Sequence, residues 1–297
     1  MSSLPPSGPD WSHPEWERNS SESTPDRIPG TDPLIPADLR GWYQRVVGVV
    51  RRSALPLLII QLAAGILTAL TSYTVLPDLG LQPGLGASDI APVPGPPPTS
   101  DGALSLLGVM IVLAVAVLAQ GASVYVVIRD AAGRPVASED TTRFAVERAP
   151  ALLGWGMLAG LMLSVGLIGL LLPGPFAVLA VPGFYLLVVF GSALTGVVVV
   201  ERRPLGRCFE LVGRRFLPTA GRMSMALVAA LAYGAAGNYV IHVLSDPGSI
   251  NEALLQLAIS VPLGVAAVAV SVVTYAELRF HEDASVSTTR LAGELDR

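Results

Sequence analysis

The sequence predicts an all-α, polytopic membrane helix bundle: six transmembrane helices, cytoplasmic interfacial helices and a disordered N-terminal tail. Three observations predict it. Hydrophobic residues make up 52% of the 297 residues and charged residues 14%, where a soluble domain is nearer a quarter charged. Six apolar segments each reach the roughly 20 residues that a helix needs to cross the hydrocarbon core. All 19 basic residues are arginine, and they fall only in alternate connections between those segments.

Residues 1–36 are polar and rich in Pro, Ser, Asp and Glu, with no apolar periodicity. Such a composition buries too little surface to offset the entropy of ordering. No apolar stretch precedes Ser53, so a signal peptide is not expected. The spans are placed near residues 53–76, 103–128, 151–172, 176–200, 223–244 and 253–277, and residues 281–297 form a cytoplasmic tail. Leu172-Pro173-Gly174-Pro175 is turn chemistry that separates the third span from the fourth. Pro182-Gly183 is expected to kink the fourth span or end a half-turn there. The last span is rich in Val and Ala, but its length argues for a helix, since only helices and closed barrels cross lipid.

Six arginines precede the first span, four lie between the second and third, six between the fourth and fifth, and three follow the sixth. The connections 77–102, 173–175 and 245–252 carry none. Positively charged loops stay on the cytoplasmic side, so the expected topology is a plasma-membrane protein with both termini inside. An odd number of spans would destroy this pattern.

Two spans share an entry. VVRRSALP at 49–56 and LVGRRFLP at 211–218 both place two arginines before a proline, and VERAP at 146–150 is a weaker version. Proline is tolerated in the first helical turn, where its missing N–H has no acceptor anyway. Arginine beside it can reach the headgroups. Arg51, Arg52, Arg207, Arg214 and Arg215 are therefore candidate membrane-interface residues, with anionic lipid headgroups as their expected partner. Leu205, Cys208, Phe209, Val212 and Phe216 fall at helical offsets, as do Leu39, Trp42, Tyr43, Val46 and Val50. Each stripe is expected to lie in the membrane surface or to pack on neighbouring helix ends. The chain would then be three hairpins, each led by a cytoplasmic helix. The middle leader, 138–148, fits the stripe poorly, so a threefold repeat rests on two copies.

Chemistry is sparse. His13, His242 and His281 have no metal-ligand spacing. No phosphate-binding glycine loop or nucleophile elbow occurs. Cys208 is the single cysteine, which excludes an intramolecular disulfide, and it sits on an apolar stripe as a packing residue. Neither a cofactor, a metal nor a nucleic-acid partner is expected. The functional leads are polar residues inside spans, which lipid makes costly: Gln61, Gln120, Asn238, His242 and Gln256. Their expected use is interhelical hydrogen bonding that holds the bundle together, or else the lining of a polar path. Gly156 with Gly160, and Ser192 with Gly196, offer close helix contacts within the chain or between copies.

VPGFYL at 181–186 and VVVVERRPLGRCFELVGRRF at 197–216, supported by AAGRPV at 131–136, RAPALLG at 148–154 and YAELRF at 275–280, resemble the membrane domain associated with glycerophosphoryl diester phosphodiesterases. The resemblance covers about residues 38–295 and is specific around 181–216, where Cys208-Phe209 replaces that family's Ser-Trp-like pair. It implies a six-helix membrane protein, of the kind found in many bacterial proteins of unknown function. It does not imply phosphodiesterase activity, because that family's catalytic part is a separate soluble barrel. The resulting expectation is a non-catalytic scaffold or accessory protein that binds lipid, a membrane-protein partner or its own copy. A small-solute transporter or channel is the alternative. An intramembrane lipid-modifying enzyme would need convergent acids or histidines, which the sequence does not offer.

Overall fold

The computed structural model describes residues 32–75, 102–171, 178–201, 206–246 and 249–296. The tail 1–31, most of the connection 77–102, the turn 172–175 and Leu205 lie outside the described residues. Among the described residues every regular element is helical.

Helix α1 spans Leu39–Arg52, capped by Asp38, whose carboxylate accepts the Gly41 N–H at 2.6 Å. Ser53 interrupts the chain and α2 begins at once, Ala54–Val75. Helix α3 is Gly102–Ala131 and α4 is Ser138–Leu171. Helix α5, Ala180–Val189, continues through two π-helical stretches, Phe190–Leu194 and Val197–Glu201. Then follow α6 Gly206–Gly213, α7 Phe216–Leu244, α8 Ile250–Glu282 and α9 Thr288–Leu295.

The entry device is visible at two of its three sites. Pro56 is the third residue of α2 and Pro218 the third of α7. Both lie in the first turn, where the N–H lacks an intrahelical acceptor. The third site differs. Pro150 sits inside α4, which runs unbroken from Ser138, so the middle leader is the first part of that helix and not a separate one. Pro182 also departs from expectation, because it falls in the first turn of α5 and makes no mid-span kink.

Helix α8 is the hub. It packs on α1, α2, α3, α6, α7 and the first π-helical stretch, and its last third, from Ser271 to Leu278, is buried throughout. The hairpin α2–α3, helix α7 and the π-helical continuation of α5 surround it. Glycine permits two of the closest approaches: a Cβ at Gly196 would overlap the Tyr275 ring, and one at Gly156 would sit 2.6 Å from Val117 Cγ1.

Cys208, Phe209, Val212 and Phe216 face inward, and so do Trp42, Val46 and Val50, whereas Leu39 and Tyr43 of the first stripe are 51% and 61% exposed. Trp42 is 3% exposed and donates its indole N–H to Thr274 Oγ1 at 3.1 Å. Cys208 and Val212 are fully buried, and Phe209 stacks with Tyr185 and meets Phe190 edge to face. Two expected tails also pack. Leu34 and Ile35 are buried, so order begins before residue 36. Residues 281–297 contain α9, whose Leu291, Ala292 and Leu295 are buried.

Four helices are by length and composition able to cross a membrane: Ala54–Thr71, Leu107–Ala131, Phe216–Leu244 and Ile250–Glu282. Ala180–Leu194 is a shorter apolar helix.

Candidate functional site

Two features of the fold gather polar groups. The first is a cavity of about 240 Å³ between α3, α4 and the π-helical continuation of α5. Helices α3 and α4 touch closely where Gly121 meets Leu152 and Gly156 meets Val117. One turn on, Gly160 supplies no side chain, and a Cβ there would stand an ordinary 3.5 Å from Leu113. The third wall is Phe190, Gly191, Leu194, Thr195 and Val198. Its π-helical turns widen the helix and shift carbonyls out of the usual ladder; the Ser192 hydroxyl donates to the Val188 carbonyl at 2.6 Å. π-Helical turns occur frequently at functional sites.

No charged residue lines this cavity, and its two polar lining residues are Gln120 and Thr195. Both are half-buried. Neither makes a side-chain hydrogen bond to the described residues, which the interhelical-bond expectation did not foresee for Gln120. Gln120 lies eleven residues before the end of α3, about 16 Å along the helix axis, so its amide stands well inside an apolar segment. An amide offers two donors and an acceptor, and a hydroxyl offers one donor. Together they can hold an uncharged hydroxyl, ester or amide. They cannot act as acid, base or nucleophile without a titrating neighbour, and the cavity has none.

The second feature is an ion-pair network at the arginine-bearing end. Arg207 is 12% exposed. Its guanidinium donates to Glu201 at 2.8 Å, to Glu210 at 3.2 Å and to both carboxylate oxygens of Glu282. Glu201 also accepts the Tyr275 hydroxyl at 3.0 Å and pairs with Arg279 at 3.2 Å, and Arg279 reaches Glu294 of α9 at 3.1 Å. Arg222 pairs with buried Glu277, and His281 Nε2 stands 3.7 Å from the same carboxylate. Arg129 and Arg134 hold Asp296, and Arg52 and Ser53 hold Asp130. The hydrogen bonds Arg207 donates to Glu282, and then to Glu201, outweigh the opposing effect of burial and hold it more firmly protonated than a free guanidinium. Burial pushes the Cys208 thiol up to about 12. Among the described residues no group of three His, Cys, Asp or Glu could hold a metal ion.

The candidate residues therefore divide. Arg51 is exposed and makes no ion pair among the described residues, Arg214 is 65% exposed and 3.8 Å from Glu282, and Arg215 is half-buried. Arg52 and Arg207 are engaged by carboxylates of their own chain. Gln61 makes the expected interhelical bond, donating from Nε2 to Ser123 Oγ at 3.2 Å. Gln256 is half-buried and makes no side-chain hydrogen bond to the described residues. Asn238 and His242 are exposed on α7 and make no hydrogen bond to the described residues, which corrects the expectation that they tie the bundle together. The acids Glu201, Glu277 and Glu294 and the hydroxyl of Thr195 were not singled out by sequence. A glutamate closing the run VVVVE and another inside YAELRF were the available signals.

No protein-family model, curated protein or solved structure matches the chain.

Proposed function

We propose that this chain is a six-span membrane protein of the plasma membrane, with both termini cytoplasmic, that works without a catalytic site as an accessory protein holding an uncharged lipid chain. The two further spans are the apolar part of α4 and α5 with its π-helical continuation. An even count keeps all 19 arginines on one side. The resemblance to the phosphodiesterase-associated membrane domain supports the same architecture.

One observation carries the lipid reading: an apolar cavity at span depth whose two polar groups are uncharged and have no hydrogen-bond partner among the described residues. A polar group that faces hydrocarbon without a partner is unfavourable, and a bound hydroxyl or ester removes that cost. The volume of about 240 Å³ equals about eight waters of liquid volume, enough for the polar end and part of one chain.

Add-back to delipidated protein tests this. A monoacylglycerol is uncharged and carries both ester and hydroxyls. It should raise the unfolding temperature of the wild type with a saturating dependence; at 100 times its dissociation constant the gain is about 2.7 kcal/mol. The Gln120→Leu/Thr195→Val double variant should respond much less. Equal shifts in both proteins would show that the cavity is not the site.

A further inference from the structure

Helix α7 is nearly bare. Of its span 11% is buried, against 44% for α8. Its buried residues, Thr219, Ala220, Met223, Gly237 and Ile241, make one stripe, and a Cβ at Gly237 would lie 2.7 Å from Ile259 of α8. On the flank about 100° round the helix from that stripe run Ser224, Val228, Leu231, Ala235, Asn238 and His242. Val228 and Leu231 are 65% and 63% exposed, and Ala235, Asn238 and His242 are exposed as well. The spacing is 4, 3, 4, 3, 4, the seam of a left-handed helix pair.

Ser224 and the two exposed polar residues on this seam have no side-chain hydrogen bond to the described residues. Asn238 lies six residues before the end of α7, about 9 Å inward along the axis. An amide facing hydrocarbon there is unfavourable unless something meets it. We infer that the Ser224–His242 flank of α7 is the contact between two copies of this chain, related by a twofold axis along the membrane normal. The inference rests on α7 being a span.

The chemistry favours a second copy over a different partner. A twofold axis places each residue opposite itself. A charged residue would then be repelled, but no Asp, Glu or Arg occurs on α7 after Arg222. An Asn amide carries both donors and an acceptor, and a neutral imidazole carries one of each, so Asn238 and His242 can bond reciprocally to their own images. A single polar residue on such a seam also fixes register.

Disulfide cross-linking in native membranes tests it, starting from a Cys208→Ala background. Single cysteines at 231, 235 and 238 should oxidise to a dimer of the chain. Cysteines at 229 and 236, exposed on another face, should not. In a bilayer dilution series, Asn238→Leu should weaken the dimer about three- to tenfold, as expected for one or two membrane hydrogen bonds. Asn238→Asp should weaken it further. Cross-linking that is absent, equal at all five positions, or directed to another protein overturns the inference. Retention of the chain in the membrane after alkaline carbonate extraction separates such an outcome from failure of the membrane reading.

Discussion

Gly156 and Gly160 are one helical turn apart, yet they meet different surroundings. A methyl at Gly156 would press on Val117 at 2.6 Å, whereas one at Gly160 would make an ordinary 3.5 Å contact. Gly156→Ala should cost about 1–3 kcal/mol through overpacking. Gly160→Ala should be neutral, or stabilise by up to about 1 kcal/mol through helix propensity. Thermal unfolding of the two variants in detergent checks the pair. Cys208 offers a second residue-scale check. With its thiol raised to about 12, roughly one molecule in ten thousand carries the thiolate at pH 8. Iodoacetamide should therefore label the folded chain negligibly and the denatured chain readily. The Arg222–Glu277 pair is a third. The side chains are 13% and 5% exposed, so Arg222→Leu strands a buried carboxylate at a cost of about 3–5 kcal/mol. The double variant Arg222→Leu/Glu277→Leu should recover most of that loss. The packing role of Cys208 and the close contact at Gly156 were legible in the sequence, but the ion pairs were not. Glu282 reaches Arg207 across 75 residues of chain, and no local pattern encodes such a meeting.

At the scale of elements, α9 is held by both ends of the chain. The Asp32 carboxylate accepts the N–H groups of Leu34 and Ile35 at 2.9 and 3.2 Å, and the N–H and hydroxyl of Thr288 at 2.9 and 2.5 Å. Asp32→Ala leaves those donors without their acceptor and should cost about 1–3 kcal/mol. Limited proteolysis should then cut within 283–296 faster than in the wild type; equal rates would mean that α9 is held by its ion pairs alone. The helices themselves were largely legible. The span near 53–76 appears as Ala54–Val75 and that near 103–128 as Gly102–Ala131, because long apolar runs and prolines in first turns are local signals. The π-helical stretches were not legible. They arise where the chain from Phe190 to Glu201 fits against Tyr275 and the cavity, which is a tertiary demand without a residue signature. Nor could sequence say which polar residues face a partner: Gln61 finds Ser123 because α2 and α3 pack in one register, whereas Asn238 and His242 face away from the chain.

For the whole molecule, the arginines and the cavity make one picture. The carboxylates of Glu201, Glu282, Glu294, Asp130 and Asp296 draw many of the arginines into a collar that ties α1, α3, α6, α8 and α9 at one end. That collar would keep the hairpins together at that end while the cavity remains open to an occupant among the helices. Reporter fusions should place Gly86 outside and the C terminus inside; a cytoplasmic signal at Gly86 would rule out six spans. The central claim, an uncharged lipid held at Gln120 and Thr195, is tested most directly by native mass spectrometry of protein released gently from its own membrane. The account predicts one uncharged lipid retained per wild-type chain and lost from Gln120→Leu/Thr195→Val at equal abundance. A bare wild-type chain, or the same adduct on both proteins, would contradict it.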